Sequence, residues 1–279
     1  MPIQNFLYRY LPSHVKSQMI QLHHSTMLIK TTKNWTKAVL DRCNIKFEGD
    51  GKKKVLLRLR NGDKISIELD ALDTQRVAEI YGEQVYTPTA LAEYWRNSRA
   101  ILDIGANKGI FSIYAAGLFP NSIIHAYEPN PQIFPILKEN IRLNNLDGRC
   151  MPFNYAVWYK DEMLPFMLRN AKNPGTGQII KYEKTTYDVK MVPGVAFTKV
   201  LRASPEVDFL KMDIEGSEYQ AILHTPHDEL RRIRFIAMEY HDSRDHSLDE
   251  LIGHIKAAGF SVLLRSRGSI LYAWRSLEI

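Results

Sequence analysis

Residues 101–130, ILDIGANKGIFSIYAAGLFPNSIIHAYEPN, read as a strand, a glycine turn, a helix and a second strand ending in an acid. Ala100 to Ile104 is a short apolar run of the kind buried on both faces of a parallel sheet. Gly105 and Gly109 bracket the turn. Ile110, Phe111, Ile113, Tyr114 and Leu118 then recur at helical spacing until Pro120-Asn121 ends the helix. Ser122 to Tyr127 is the second strand. Glu128 stands at its carboxyl end, where a carboxylate accepts hydrogen bonds from both hydroxyls of a ribose in the crevice of an open α/β sheet.

The turn itself narrows the ligand. A dinucleotide fingerprint, G-x-G-x-x-G, needs its second glycine so that a pyrophosphate reaches the backbone. Here the turn is Asp103-Ile104-Gly105-Ala106-Asn107-Lys108-Gly109, with a side chain at that position, and no Gly-Lys-Ser or Gly-Lys-Thr closes a P-loop. Phosphate is disfavoured. Asp103 at the strand end suits a cationic group, and S-adenosylmethionine carries an ammonium, a sulfonium and a ribose but no phosphate. Asp103, Gly105, Asn107, Gly109 and Glu128 are therefore the expected cofactor contacts, with Asp213 at the end of a later strand, against the alternative of a purely structural turn.

A second stretch, Val207 to Glu218 (VDFLKMDIEGSE), is another buried strand running into a turn and a helix. It resembles the most characteristic segment of the FkbM family of S-adenosylmethionine-dependent methyltransferases, D-x-x-K-x-D-x-E-G-x-E. DIGANKGIFSI, YEPNP, NYAVW at 154–158 and FIAMEYH at 235–241 follow in that family's order, so the resemblance covers roughly Tyr81 to Ile279. It implies an α/β class I (Rossmann-like) fold with a seven-stranded, mostly parallel sheet of order 3-2-1-4-5-7-6. It also implies that the lead-in to the sheet lies over the cofactor pocket, which puts Tyr86 and Thr87 at its border. The acceptor is not implied.

Around this core the sequence divides into an extension, residues 1–80, and a methyltransferase domain, 81–279. The extension shows loose helical spacing from Val15 to Leu28, a further helix near Ala38-Val39-Leu40, and a hairpin from Val55 to Leu69. In that hairpin Asn61-Gly62 is expected to supply both positive-φ positions of a type I′ turn. Asp73 to Tyr86 reads as a helix. Pro152 to Trp158 reads as the third strand, and 159–198, with Pro174, Gly175 and Gly177 in its middle, as a β-hairpin insertion with a mobile tip.

A net charge of +6 raises nucleic acid or an anionic surface as partners. The basic residues are scattered, Lys52-Lys53-Lys54 and Arg231-Arg232 are not interleaved with aromatics, and the charge is assigned to solvated faces. Met1 to Leu40 has five Lys or Arg and no Asp or Glu. That segment reads either as an arm meeting a membrane surface or a second subunit, or, preferred, as a helical cap. No 18-residue apolar window and no signal-peptide pattern is present, and Cys43 and Cys150 lack metal-like spacing, so a reduced cytoplasmic setting is expected.

Methyl transfer to oxygen needs positioning and an outlet for the acceptor proton. The candidates converge at the ends of the fourth and fifth strands: Lys211, Asp213 and Glu215 on one, Glu239, His241 and Asp242 on the next. Two readings stand. Asp213 and Glu239 bind a divalent cation that holds the acceptor, or His241 is the general base and the carboxylates orient it, the metal-free reading being preferred. Lys211 either pairs with Glu215 or Glu239 or touches the acceptor. Asn154 is placed near the adenine, and His23, His24, His224, His227 and His246 are read as surface residues. The expected activity is O-methylation of a sugar or small-molecule hydroxyl. An RNA ribose methyltransferase and a non-catalytic cofactor-binding assembly module are the rivals.

Overall fold

The computed structural model describes residues 12–42, 54–68, 71–168, 177–180, 188–204, 206–266 and 268–276. The first part of the basic arm, Cys43, Lys52-Lys53, and Pro174 and Gly175 at the tip of the insertion lie outside the described residues. The chain forms two compact units, residues 1–84 and 85–279.

In the first unit, helix α1 (Ser13–Thr31) is followed by α2 (Trp35–Arg42) and by an antiparallel pair, β1 (Lys54–Arg58) and β2 (Lys64–Glu68). The turn between the strands differs from the expected type I′. Of Asn61 and Gly62 only Gly62 has positive φ, at 105°, and the Leu59 amide donates to the Asp63 carbonyl, so three residues span the gap. Asn61 serves through its side chain instead, accepting from the Asp63 amide at 3.2 Å. Helix α3 (Ala71–Val77) widens into a π turn over Ala78–Glu83 and stops at Gln84, whose φ is 54°; it ends short of Tyr86. His24, read as a surface residue, is buried and meets Glu83 at 3.2 Å.

The second unit is built on β3 (Ala100–Ile104), β4 (Ile123–Tyr127) and β5 (Cys150–Phe153). Next come β6 (Ala156–Trp158), β7 (Met163–Leu168), β8 (Gly177–Ile179) and β9 (Asp188–Ala196). The chain then returns through β10 (Val207–Met212) and β11 (Ile233–Glu239) and closes with β12 (Ser261–Leu264) and β13 (Ile270–Trp274). The main sheet runs β12-β13-β11-β10-β3-β4-β5, parallel except for β13, which is antiparallel to both neighbours.

Alternation along the central strands divides the core into two faces. Leu102, Ile104, Leu210, Met212, Ile236 and Met238 lie on one, against Tyr219, Ile222, Leu251 and Ile255. The other carries a run of rings: Phe111 on helix α4 (Ile110–Leu118) to Phe209 at 5.7 Å, then Phe209 to Phe235 at 5.0 Å. Phe209 and Phe235 are register partners on β10 and β11, so the sheet itself sets them side by side.

The strand expected over 152–158 is two strands. Asn154 donates its side-chain amide to the backbone carbonyls of Glu128 (2.7 Å) and Pro129 (3.1 Å), and the chain leaves the main sheet there. Beyond that point β6 joins a second sheet, β6-β9-β7-β8, in which β7 and β9 pair antiparallel through the insertion. Among the described residues no helix is long and apolar enough to cross a membrane.

The β3 turn and the end of β10 come so close that a Cβ at Gly105 (φ +77°) would stand 1.7 Å from the Asp213 carbonyl oxygen. Gly148 has a similar φ of +86° but open space around it. Gly148→Ala therefore costs only backbone strain, about 1–2 kcal/mol. Gly105→Ala, which must also push two strand ends apart, is expected to lose at least twice as much in urea unfolding followed by circular dichroism.

Candidate active site

Register decides the first pair. Lys211 on β10 is the direct partner of Asp103 on β3, and their side chains share a face, with Nζ 3.1 Å from Oδ1. Both are buried, at 4% and 0% side-chain exposure. The Lys211 ammonium also donates to the Gly105 carbonyl at 2.7 Å and lies 5.7 Å from the centre of the Tyr86 ring. The other Asp103 oxygen accepts from the Ser112 hydroxyl at 2.6 Å. One expectation is thereby corrected: Lys211 pairs with neither Glu215 nor Glu239 and is buried, and its partner is Asp103, which also carries Ser112 on its second oxygen. Ser112, the polar residue in the otherwise apolar IFSIYAAGL helix, was the sequence signal for this anchor.

The turn above it is held by Glu128. One carboxylate oxygen accepts from the Asn107 amide at 2.8 Å and the other from the Asn130 amide at 2.8 Å. Asn107 adopts φ 51° and Gly109 φ 80°, which turns the chain back into α4. Gly105 and Ala106 both donate to the Tyr127 carbonyl, at 3.0 and 2.9 Å. Asn154, expected at the adenine, spends its amide hydrogens on the Glu128-Pro129 carbonyls and so fixes the loop that carries Glu128. Burial raises the Glu128 carboxyl to about 7, against the lowering effect of its two backbone donors and Lys211.

The second group of acids sits after β10. Asp213, Glu215 and His241 each bring one ligand atom within 4.8 Å of the other two. Glu215 is held at φ 55°, a costly conformation for a residue with a side chain, and Gly216 follows at φ 100°. This turn lets Glu218, first residue of α5 (Glu218–Leu223), reach back to the preceding backbone, accepting from the Ile214 and Gly216 amides at 2.9 Å each. Glu218 is fully buried and also meets His241 Nδ1 at 3.0 Å, while His241 Nε2 is 3.8 Å from Glu215. Sequence reasoning left Glu218 out of the site, although it is the last acid of the quoted pattern.

These contacts bear on two more expectations. Burial works against a charged His241, but the hydrogen bond to Glu218 and the charges of Glu218, Asp213 and Glu215 outweigh it and raise the ring to about 9. A proton is thus held more firmly on this ring than on a free histidine. Glu239 is not in the cluster that Asp213 forms among the described residues. β11 ends at Glu239, so strand alternation does not carry on to His241, and Glu239 instead receives the Tyr86 hydroxyl at 3.4 Å.

A model of the FkbM methyltransferase domain matches residues 103–262, from the buried anchor on β3 to the start of β12. The chain belongs to the FkbM methyltransferase family. It is 26% identical over 243 residues to the 31-O-demethyl-FK506 methyltransferase FkbM of Streptomyces tacrolimicus, covering 74% of this chain and 89% of that protein. Methyltransferase 1 of Beauveria bassiana is 24% identical over 164 residues, 52% of this chain and 65% of its own length. Among solved structures, the FkbM methyltransferase of Methylobacillus flagellatus KT is similar at 16% identity and a TM-score of 0.49, over 74% of this chain and 55% of that one. As an FkbM methyltransferase the chain has a fold in which use of S-adenosylmethionine is general.

Glu128 ties the site to pH. Its carboxyl lies near 4.5 when unfolded and near 7 when folded, so the unfolded chain releases that proton first as pH rises. Its effect on stability is absent below about 4.5 and grows to a loss of roughly 3 kcal/mol by pH 8. Urea titrations should show wild type losing stability relative to Glu128→Gln over that window, and a difference independent of pH would contradict the assignment.

Proposed function

We propose that this chain is an S-adenosylmethionine-dependent O-methyltransferase acting on a hydroxyl of a sugar or other small molecule. The observation that carries the reading is the buried Glu128 carboxylate. Each of its oxygens accepts one backbone N–H, and an ionised carboxylate has about four acceptor sites, so each keeps capacity for one more donor. Two adjacent ribose hydroxyls match that need. The Asn107 side chain, where G-x-G-x-x-G counted from Gly105 has its second glycine, supports a nucleoside without phosphate beside the turn.

Bound there, S-adenosylmethionine supplies a methyl group on a cationic sulfur, open to in-line displacement. The protein's part is chiefly position. Glu128, fixed by Asn107, Asn130 and Asn154, sets the nucleoside, and the Gly105 turn keeps the backbone close to it. The carboxylates of Asp213 and Glu215 draw the proton of the acceptor hydroxyl, with His241 held beside them by Glu218. Oxygen as the acceptor atom is favoured by the relative named for a 31-O-demethyl compound.

Isothermal titration tests the reading. Wild type should take up one equivalent of S-adenosylmethionine, and Glu128→Ala should bind at least tenfold more weakly, about 1.4 kcal/mol. Wild type that shows no binding, or Glu128→Ala that binds undiminished, contradicts it.

A further inference from the structure

The group at Asp213, Glu215 and His241 is more than a collection of acids. Its three ligand atoms lie within 4.8 Å of one another, and His241 Nε2 is 3.8 Å from Glu215. An octahedral ion with bonds of about 2.1 Å spaces its ligands by roughly 3–4.2 Å, so small side-chain rotations close the set. Each ligand comes from a fixed place: Asp213 follows β10 and donates its amide to the Ile104 carbonyl at 3.0 Å, Glu215 occupies the αL turn, and His241 follows β11.

The second observation is Glu218, which is not one of the three. It is fully buried and pinned by two backbone amides at 2.9 Å, and it takes His241 Nδ1 at 3.0 Å. That bond settles which nitrogen carries the hydrogen when the ring is neutral and leaves the Nε2 lone pair free on the side of Asp213 and Glu215. A rigid carboxylate behind a histidine is the arrangement that orients the ring toward a metal. Charge points the same way. Asp213, Glu215 and Glu218 set three carboxylates around one imidazole, and Lys211, the cation on the adjoining strand, is committed to Asp103.

We propose that Asp213, Glu215 and His241 form a site for one divalent cation of the manganese type, with Glu218 as the positioning residue of His241. Two carboxylates and one imidazole suit an ion that accepts both oxygen and nitrogen. Three protein ligands leave positions for an acceptor that offers two neighbouring oxygens, such as a vicinal diol or a hydroxyl beside a carbonyl. The substrate class is thus a chelating hydroxyl compound. This last step rests on the methyltransferase reading above, whereas the cation site does not.

The test is titration of the full chain with manganese chloride in the absence of S-adenosylmethionine, with free Mn²⁺ followed by electron paramagnetic resonance. Wild type should bind one Mn²⁺ per chain. His241→Ala and Glu218→Gln should each weaken binding at least tenfold, with circular dichroism reporting that both variants are folded. No stoichiometric binding by wild type, or binding that His241→Ala leaves undiminished, overturns the proposal. Because the cofactor is absent, failure here leaves the S-adenosylmethionine titration standing, and failure there leaves this site standing.

Discussion

The buried ion pair between Lys211 and Asp103 is the constraint on which the second unit's site depends. It joins β10 to β3 one register position before both strands end, with the phenylalanine run beneath it and the Gly105 turn above. Removing one partner of such a pair typically costs about 3–5 kcal/mol, because the other is left charged and buried. Ser112 donates to the second Asp103 oxygen, and the Gly105 carbonyl accepts from Lys211. Charge thus meets charge within the sheet itself.

That pairing bears on the division of labour among the acids. With Asp103 engaged by Lys211, the proposed function gives recognition to Glu128, at the end of the neighbouring strand β4, and chemistry to the acids after β10 and β11. Glu128 is held by the turn that it also holds: its oxygens accept from Asn107 and Asn130, and Asn154 secures its backbone. The acids after β10 follow the same logic on the other side of Gly105. The turn at Glu215 and Gly216 stores unfavourable backbone conformations, and Glu218 offsets them by bonding the two amides that the turn leaves free.

Much of this was legible in the sequence wherever local chemistry decides structure. The apolar strands, the glycines at Gly105 and Gly109 and the acid at Glu128 all follow from spacing and from residue type. What was not legible depends on contacts between distant strands. Lys211 was assigned to acids near it in sequence, but its partner lies across the sheet, 108 residues earlier. His241 was aligned with Glu239 by strand alternation, which ceases because the strand has ended. Asn154 sits inside a run that reads as one strand, and only its bonds to the Glu128 loop show why the chain turns away. At Asn61-Gly62 the dipeptide marked the hairpin but not its type, since Asn61 caps with its side chain while Gly62 alone takes positive φ.

A crystal structure of the chain with S-adenosylmethionine tests the central claim most directly. The account predicts both ribose hydroxyls on the two oxygens of Glu128, and the Lys211–Asp103 pair intact beneath them. A ligand whose ammonium lies on Asp103, with Lys211 displaced, would contradict it.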